Sequence, residues 1–109
     1  MSINWNTYKE HKIVDRLYGK FVHMKSMTIA RWRFESGAVL PTHNHPHEQI
    51  TLVQKGSLEL NVGDQTLVLK ENDTLTIDSE IPHGGKALED TIALDIFSPV
   101  REDFKEKYG

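Results

Sequence analysis

The sequence predicts an all-β sandwich or barrel. Apolar and polar residues alternate along most of the chain, and turn signals divide the alternating runs into short strands of about five to seven residues, with a turn about every 8 to 12 residues. The run "QITLVQKGSLELNVGDQTLVLKENDTLTI" is divided at three turn signals, Lys55-Gly56, Gly63-Asp64 and Asn72-Asp73. With 109 residues, the chain is expected to form a single domain over 1–109 with one closed core.

The elements follow in chain order. The first fifteen residues lack a clear period, and we interpret them as an N-terminal arm or an edge strand, followed by a barrel over 16–100. In "SMTIARWRF" the alternation predicts a strand with one drier side and puts four residues on one face, Thr28, Ala30, Trp32 and Phe34. The last strand, "DTIALDIFSP", is expected to end at Pro99.

Only the C-terminal segment has a helical pattern. In "SPVREDFKEKYG", Ser98 is a candidate cap and Pro99 suits a first helical turn. Val100, Phe104 and Tyr108 recur at four-residue intervals. A short helix over 99–108 is therefore predicted.

Composition excludes several classes of function. The net charge of −3 and the lack of a Lys/Arg cluster argue against a nucleic-acid partner. No apolar run approaches the roughly 20 residues of a membrane span, and the first residues do not resemble a signal peptide, so we expect a cytoplasmic protein without a membrane partner. Because there is no cysteine, any metal must be bound by nitrogen and oxygen.

Three histidines lie close together in "PTHNHPHEQI". If this stretch is a strand, His43 and His45 point to the same side and are close enough to share an ion. The same parity places Gln49 on that side and Glu48 on the other, which favours Gln49 as a third ligand. His47 directly follows a proline, where a turn is expected, and we assign it to the rim.

A fourth candidate ligand follows in "EIPHGG". His83 gains weight from its combination with the earlier pair, because three histidines and one oxygen ligand suit one divalent transition metal ion. Ni, Zn, Fe, Mn and Cu all fit such a nitrogen-rich site. The alternative is that these histidines are polar surface residues near turns.

The last strand carries a second group of candidates. Ala93, Asp95 and Phe97 share one face, and if the opposite, isoleucine-bearing face packs outside, Asp95 points into the barrel as a proton-transfer group. Arg101 lies near the rim, where its planar fork would bind a carboxylate in two parallel hydrogen bonds. Alternatively, Asp95 pairs with Arg101 or with an arginine of "RWR" for stability alone.

Two segments resemble the cupin motifs. Gly37, "HNH", Gln49 and Gly56 are spaced as in the first motif, and "NDTLTIDSEIPHGG" resembles the second. The resemblance implies a cupin double-stranded β-helix, a jelly-roll-like barrel, with one metal inside. The implied ligands are His43, His45, Gln49 and His83. The chain departs from the pattern at three positions, with Gln49 in place of glutamate, Asn72 in place of glycine and Asp78 in place of proline.

A narrower resemblance comes from "DIFSPVRED" together with "HNHPHEQI", which are similar to the KdgF-type cupins of pectin and alginate degradation. That family implies conversion of 4,5-unsaturated uronic acid monosaccharides to the linear 5-keto-4-deoxyuronate, with Asp95, Phe97 and Arg101 serving the substrate. A neutral Gln49 leaves the full double charge of the metal, which favours Lewis-acid chemistry on a small anionic substrate such as a sugar acid.

Other functions stay open at this point. One is a metal-dependent dioxygenase, or another isomerase, acting on a small acid. The other is a cupin that binds a small ligand without turnover. An enzyme is the expectation, and a binding protein is the alternative. The family resemblance also implies a homodimer, which would use the edge strands and the apolar outer face of the last strand.

Overall fold

Two antiparallel sheets form the molecule in the computed structural model, which describes residue 2 and residues 4–109. One sheet has six strands in the order β1-β2-β3-β10-β5-β8, and the other has four in the order β4-β9-β6-β7. The strands are β1 (His11–Val14), β2 (Leu17–His23), β3 (Thr28–Phe34), β4 (Val39–His43), β5 (Glu48–Lys55), β6 (Ser57–Val62), β7 (Gln65–Lys70), β8 (Thr74–Ile77), β9 (His83–Ala87) and β10 (Thr91–Ser98). The predicted all-β, jelly-roll-like fold is confirmed.

Strict alternation of buried and more exposed residues defines the inner face of the larger sheet. Along β3 the four residues predicted to share one face, Thr28, Ala30, Trp32 and Phe34, are all buried. Strand β10 lies between β3 and β5, and the register pairs Asp95 with Ala30 on one side and Thr51 on the other. Inward-facing residues of all three strands therefore meet in the barrel interior.

The N-terminal segment ends in an edge strand. A single 3₁₀ turn at Trp5–Thr7 precedes β1, which pairs with β2 at the edge of the larger sheet. The segment was interpreted as either an arm or an edge strand, and an edge strand is observed for His11–Val14. Met1 and Ile3 belong to the same predicted segment but lie outside the described residues.

The C-terminal helix begins later than predicted. Helix α1 spans Glu102–Tyr108, and its N-cap position, Arg101, makes no side-chain capping bond. The prediction that Ser98 caps the helix is wrong because Ser98 still belongs to β10, and its hydroxyl donates to the carbonyl oxygen of Ser26 at 3.2 Å. Phe104 and Tyr108 do pack against the core, as their spacing predicted. Within the described residues, no helix is long and apolar enough to cross a membrane.

Two glycines with positive φ differ in the space available for a side chain. Gly37 has a φ of 86° with open space where a Cβ would lie, whereas a Cβ at Gly56, with a φ of 91°, would meet the carbonyl oxygen of Asp90 and approach the Cα of Thr91 to 2.8 Å.

We expect Gly37→Ala to lower the free energy of unfolding by about 1–2 kcal/mol, the usual cost of a left-handed alanine. Gly56→Ala should lower it clearly more, because the backbone around Asp90 must also move. Urea denaturation of both variants tests this, and equal losses would contradict it.

Candidate metal centre

Three histidine rings converge inside the barrel. Their candidate ligand nitrogens, one each from His43, His45 and His83, all lie within 4.8 Å of one another. His43 ends β4 and pairs across the sheet with His83, the first residue of β9. His45 lies beyond the end of β4, in the turn before β5, so the prediction that it shares a strand with His43 is wrong. The turn, rather than strand parity, brings His45 to the other two rings.

Backbone carbonyls determine the tautomer of each ring. In all three histidines Nδ1 lies within hydrogen-bonding distance of a carbonyl oxygen two residues away along the chain: Pro41 for His43 (2.8 Å), Ile81 for His83 (2.8 Å) and His47 for His45 (3.1 Å). A carbonyl oxygen only accepts, so a ring that makes this hydrogen bond carries its proton on Nδ1; in His45 the contact of Nε2 with Oε1 of Gln49, also 3.1 Å, competes with it. In this tautomer the Nε2 atom of the neutral ring is a bare lone pair, the form in which imidazole binds a metal.

Burial disfavours the charged form of two of these rings. Burial lowers the pKa of His83, and burial together with the positive charge of Arg101 lowers the pKa of His45 to about 4. The Nε2 of His83 is buried and has no hydrogen-bond partner in the described part of the chain. An unsatisfied buried acceptor beside two further imidazoles fits a bound transition metal ion.

The side chain of Gln49 lies next to the histidine cluster. Its side chain is buried, and its Oε1 lies 3.1 Å from Nε2 of His45. With Nδ1 of His45 protonated, this contact brings two lone pairs together, which is repulsive unless a cation lies next to both. Glu48 is exposed, pairs with Ser98 in β10 and faces away from the site. The inward and outward orientations expected for these two neighbours are the ones observed.

His47 lies beside the histidine cluster but is not part of it. Its ring stands edge-on to His45, with 5.3 Å between the ring centroids, and its carbonyl oxygen accepts from His45. Among the described residues, the group that could hold an ion comprises the other three histidines. His47 therefore supports a candidate ligand through its backbone.

Asp95 is buried next to this group, in the middle of β10. Its Oδ2 accepts a hydrogen bond from Nε1 of Trp32 at 2.7 Å, and its Oδ1 accepts one from the hydroxyl of Thr51 at 2.6 Å. Burial raises the pKa of Asp95, although the hydrogen bonds from Thr51 and Trp32 act in the opposite direction. The alternative partner considered from the sequence, an arginine, is not observed: Asp95 makes no ion pair within the described residues.

Arg101 is also buried, and one edge of its guanidinium is already hydrogen-bonded to another side chain. Its guanidinium lies 3.7 Å from the ring centroid of Phe104 and 4.6 Å from that of Phe97. Nε and Nη2 donate to the two carboxylate oxygens of Asp103 at 2.9 and 2.7 Å. From the sequence, this fork was expected to bind a carboxylate in two parallel hydrogen bonds, and the carboxylate that it binds in this way is that of Asp103. The end-on edge of the guanidinium includes Nη1, which has no hydrogen-bond partner among the described residues.

Two of the three histidines, Gln49, Asp95 and Arg101 line one cavity of about 290 Å³. Most of its lining is apolar, including Phe97 and Phe104, and its polar lining residues are His43, Gln49, Thr51, His83, Asp95 and Arg101. Small-molecule sites typically combine an apolar wall with a few convergent polar groups, in volumes upward of about 300 Å³. The cavity therefore suits a ligand no larger than a single sugar or small acid.

A jelly-roll barrel with converging imidazoles next to a small internal cavity is an arrangement that could hold a metal ion and a small molecule. The chain belongs to the cupin family, since the family model of the Cupin domain matches residues 30–98. It is 36% identical over 73 residues to the pectin degradation protein KdgF of Dickeya dadantii. That match covers 65% of this chain and 66% of the relative.

Two solved structures are similar over nearly the whole chain. An RmlC-like cupin from Shewanella frigidimarina superposes with a TM-score of 0.87 at 27% identity, covering 91% of this chain and 90% of the other. KdgF from a Halomonas species gives a TM-score of 0.86 at 27% identity, covering 91% of this chain and 93% of the other.

The raised pKa of Asp95 predicts a pH-dependent stability. A carboxyl group whose pKa is raised by folding favours the folded state at low pH, and this contribution is lost as the pH rises through the folded-state pKa. In metal-free protein, Asp95→Asn should therefore gain stability relative to wild type between pH 4 and pH 8, by at most about 1.4 kcal/mol per pH unit. Urea unfolding with EDTA across this range measures the difference. A difference that stays constant or falls as the pH rises would contradict the assignment.

Proposed function

We propose that this chain is a metal-dependent cupin enzyme that converts a 4,5-unsaturated uronic acid monosaccharide to the linear 5-keto-4-deoxyuronate. The observation that carries the proposal is a cluster of three imidazoles, two of which line the same cavity as a buried carboxyl group and a buried guanidinium. Similarity to a pectin degradation protein and to a KdgF structure supports a substrate of this class. In this proposal one cupin domain over 1–109 performs the reaction.

The proposed ligands of one divalent transition metal ion are His43, His45, His83 and Gln49. Their support is the shared tautomer of the histidines and the burial of the amide oxygen beside them. When bound, such an ion supplies a Lewis acid that polarises oxygen atoms of the substrate. Ni, Zn, Fe, Mn and Cu all suit this donor set, and a neutral Gln49 favours Lewis-acid chemistry over redox cycling.

Arg101 is the proposed anchor for the carboxylate of the substrate. Its charge lies in an apolar cavity, where attraction to an anion is much stronger than in water. Because Asp103 occupies the Nε and Nη2 side, the substrate would bind at the end-on edge of the guanidinium. Phe97, which lines the same cavity, is proposed to pack on a face of the sugar ring.

Asp95 is the proposed proton-transfer group. The reaction adds a proton at C4 and opens the ring, so that C1 becomes an aldehyde and C5 a ketone. The proton lost from the C1 hydroxyl balances the one gained at C4, so the product is an isomer of the substrate. A carboxyl group whose pKa is raised by burial is better able to donate a proton near neutral pH.

A second copy of this chain is the proposed protein partner. The outer face of the larger sheet carries an apolar row in which Ile29 pairs with Val22 and Ile96, and Ile96 pairs with Ile50. Ile50 and Ile96 are 41% and 38% exposed. Pairing of two such faces would cover these residues and give the homodimer expected from the family resemblance.

The direct test of the proposed activity uses metal-loaded protein and the unsaturated monosaccharides derived from pectin and alginate. Loss of the double-bond absorbance should be faster than in a blank without protein. No acceleration would reject the proposal. Two further measurements identify the alternatives: oxygen consumption would indicate a dioxygenase, and ligand-induced thermal stabilisation without product would indicate binding alone.

Asp95→Ala should lower turnover by about 10²- to 10⁴-fold, the usual contribution of general acid-base catalysis, while metal content in the presence of saturating metal stays near that of wild type. Metal analysis and the absorbance assay measure both quantities. Asp64→Ala, in the exposed turn between β6 and β7, is the matched control and should leave both unchanged. Full activity or loss of metal in Asp95→Ala would contradict the proposed role.

Two neighbouring substitutions test the ligand assignment. Gln49→Ala should reduce metal content because it removes the buried oxygen beside His45, whereas Glu48→Ala should leave it unchanged because Glu48 is exposed on the opposite face. Elemental analysis after dialysis against a fixed free metal concentration makes the comparison. If only the Glu48 change empties the site, the assignment is wrong.

A further inference from the structure

A chain of hydrogen bonds joins the buried carboxylate to the histidine cluster. Nε1 of Trp32 donates to Asp95, the hydroxyl of Thr51 donates to Asp95, and Nε2 of Gln49 donates to the hydroxyl of Thr51. Oε1 of Gln49 then faces Nε2 of His45. We propose that Thr51 is a positioning residue whose hydroxyl determines which way the Gln49 amide points, and so directs its oxygen towards the metal.

The donor and acceptor in each of these hydrogen bonds follow from the number of protons available. The indole N–H of Trp32 only donates, and both oxygens of Asp95 accept here, Oδ2 from Trp32 and Oδ1 from Thr51. Thr51 has a single hydroxyl proton, which it donates to Asp95 at 2.6 Å. The oxygen of Thr51 therefore accepts from Gln49, and the contact of 3.0 Å requires the NH₂ group on that side. A rotated amide would place two oxygen atoms together with no proton between them.

The same count explains why an amide suits position 49 of this chain. A glutamate side chain there would present only acceptor oxygens to Thr51. The one hydroxyl proton would then have to satisfy two carboxylates, that of the glutamate and that of Asp95. Thr51 and Asp95 together therefore match a glutamine, whose NH₂ group supplies the missing donor. The departure from the usual cupin motif and the buried Thr51–Asp95 pair are parts of one arrangement.

Thr51 is well placed for this role. It is 3% exposed, lies two residues after Gln49 on β5 and pairs with Asp95 in the neighbouring strand β10. Its side chain therefore points to the same interior face as both of its partners. Groups that orient a metal ligand in this way typically change metal affinity by about 10- to 100-fold when they are removed.

The inference rests on the metal-binding part of the proposed function and not on the uronate substrate. The test is the Zn²⁺ affinity of the whole chain, measured by competition with a chromophoric chelator, together with the unfolding midpoint of the metal-free protein. Thr51→Val, which is nearly isosteric but has no hydroxyl, should bind Zn²⁺ about 10- to 100-fold more weakly. Thr51→Ser retains the hydroxyl and should bind as wild type does.

Two controls separate positioning from general damage. Thr76→Val, the same change on the outer face of the neighbouring strand β8, should leave Zn²⁺ affinity unchanged. Thr51→Ala removes the same hydroxyl and replaces Thr51→Val if that variant does not fold. Unchanged affinity without the hydroxyl, or an equal loss in Thr51→Ser, would overturn the inference. Wild-type Zn²⁺ binding without uronate turnover would reject the proposed substrate and leave this inference standing.

Discussion

Hydrogen bonds from ring nitrogens to backbone carbonyls are the constraint on which the candidate site depends. Each of the three imidazoles is held by a carbonyl only two residues away along its own chain. The position and tautomer of each ring are therefore set by the local backbone, which is in turn fixed by the pairing of β4 with β9 and by the turn after His43. A site built on backbone geometry is preorganised, so a ligand need not order these rings on binding.

The cavity imposes a cost that the neighbouring polar groups offset. Burying Asp95 away from water is unfavourable, and two hydrogen-bond donors compensate part of this loss. Arg101 is treated similarly, since Asp103 pairs with it and two aromatic rings contact its guanidinium. What remains is a low-dielectric cavity with one cationic group and one carboxyl group of raised pKa, an environment suited to a small acid.

Alternation was a sound guide wherever the chain is a regular strand. It placed Trp32 and Asp95 on inner faces, and it separated Gln49 from Glu48, because successive side chains in β3, β5 and β10 point to opposite sides. The same rule failed for His45, since the chain leaves the strand at His43 and turns. Gln49 was correctly placed because β5 starts immediately before it, and not because parity continued through the turn.

Contacts between side chains were harder to predict. The segment "RED" contains both Arg101 and its partner Asp103, but only the structure shows that their side chains meet. Thr51 was overlooked, although its position two residues after Gln49 places it on the same face of β5. Its importance depends on the pairing of β5 with β10, a long-range register that alternation within one strand does not encode. The start of the helix was misplaced because Ser98 extends β10 instead of capping α1.

Long-range ¹H–¹⁵N correlation spectra test directly whether the three imidazoles present Nε2 lone pairs to one ion. Such spectra report which ring nitrogen carries the proton in the metal-free protein, and how each nitrogen responds when Zn²⁺ is added. We expect the Nδ1–H tautomer for His43, His45 and His83, with the three Nε2 signals shifting together at one equivalent of Zn²⁺. An Nε2–H tautomer at any of the three, or an Nε2 signal that does not respond to Zn²⁺, would contradict this arrangement.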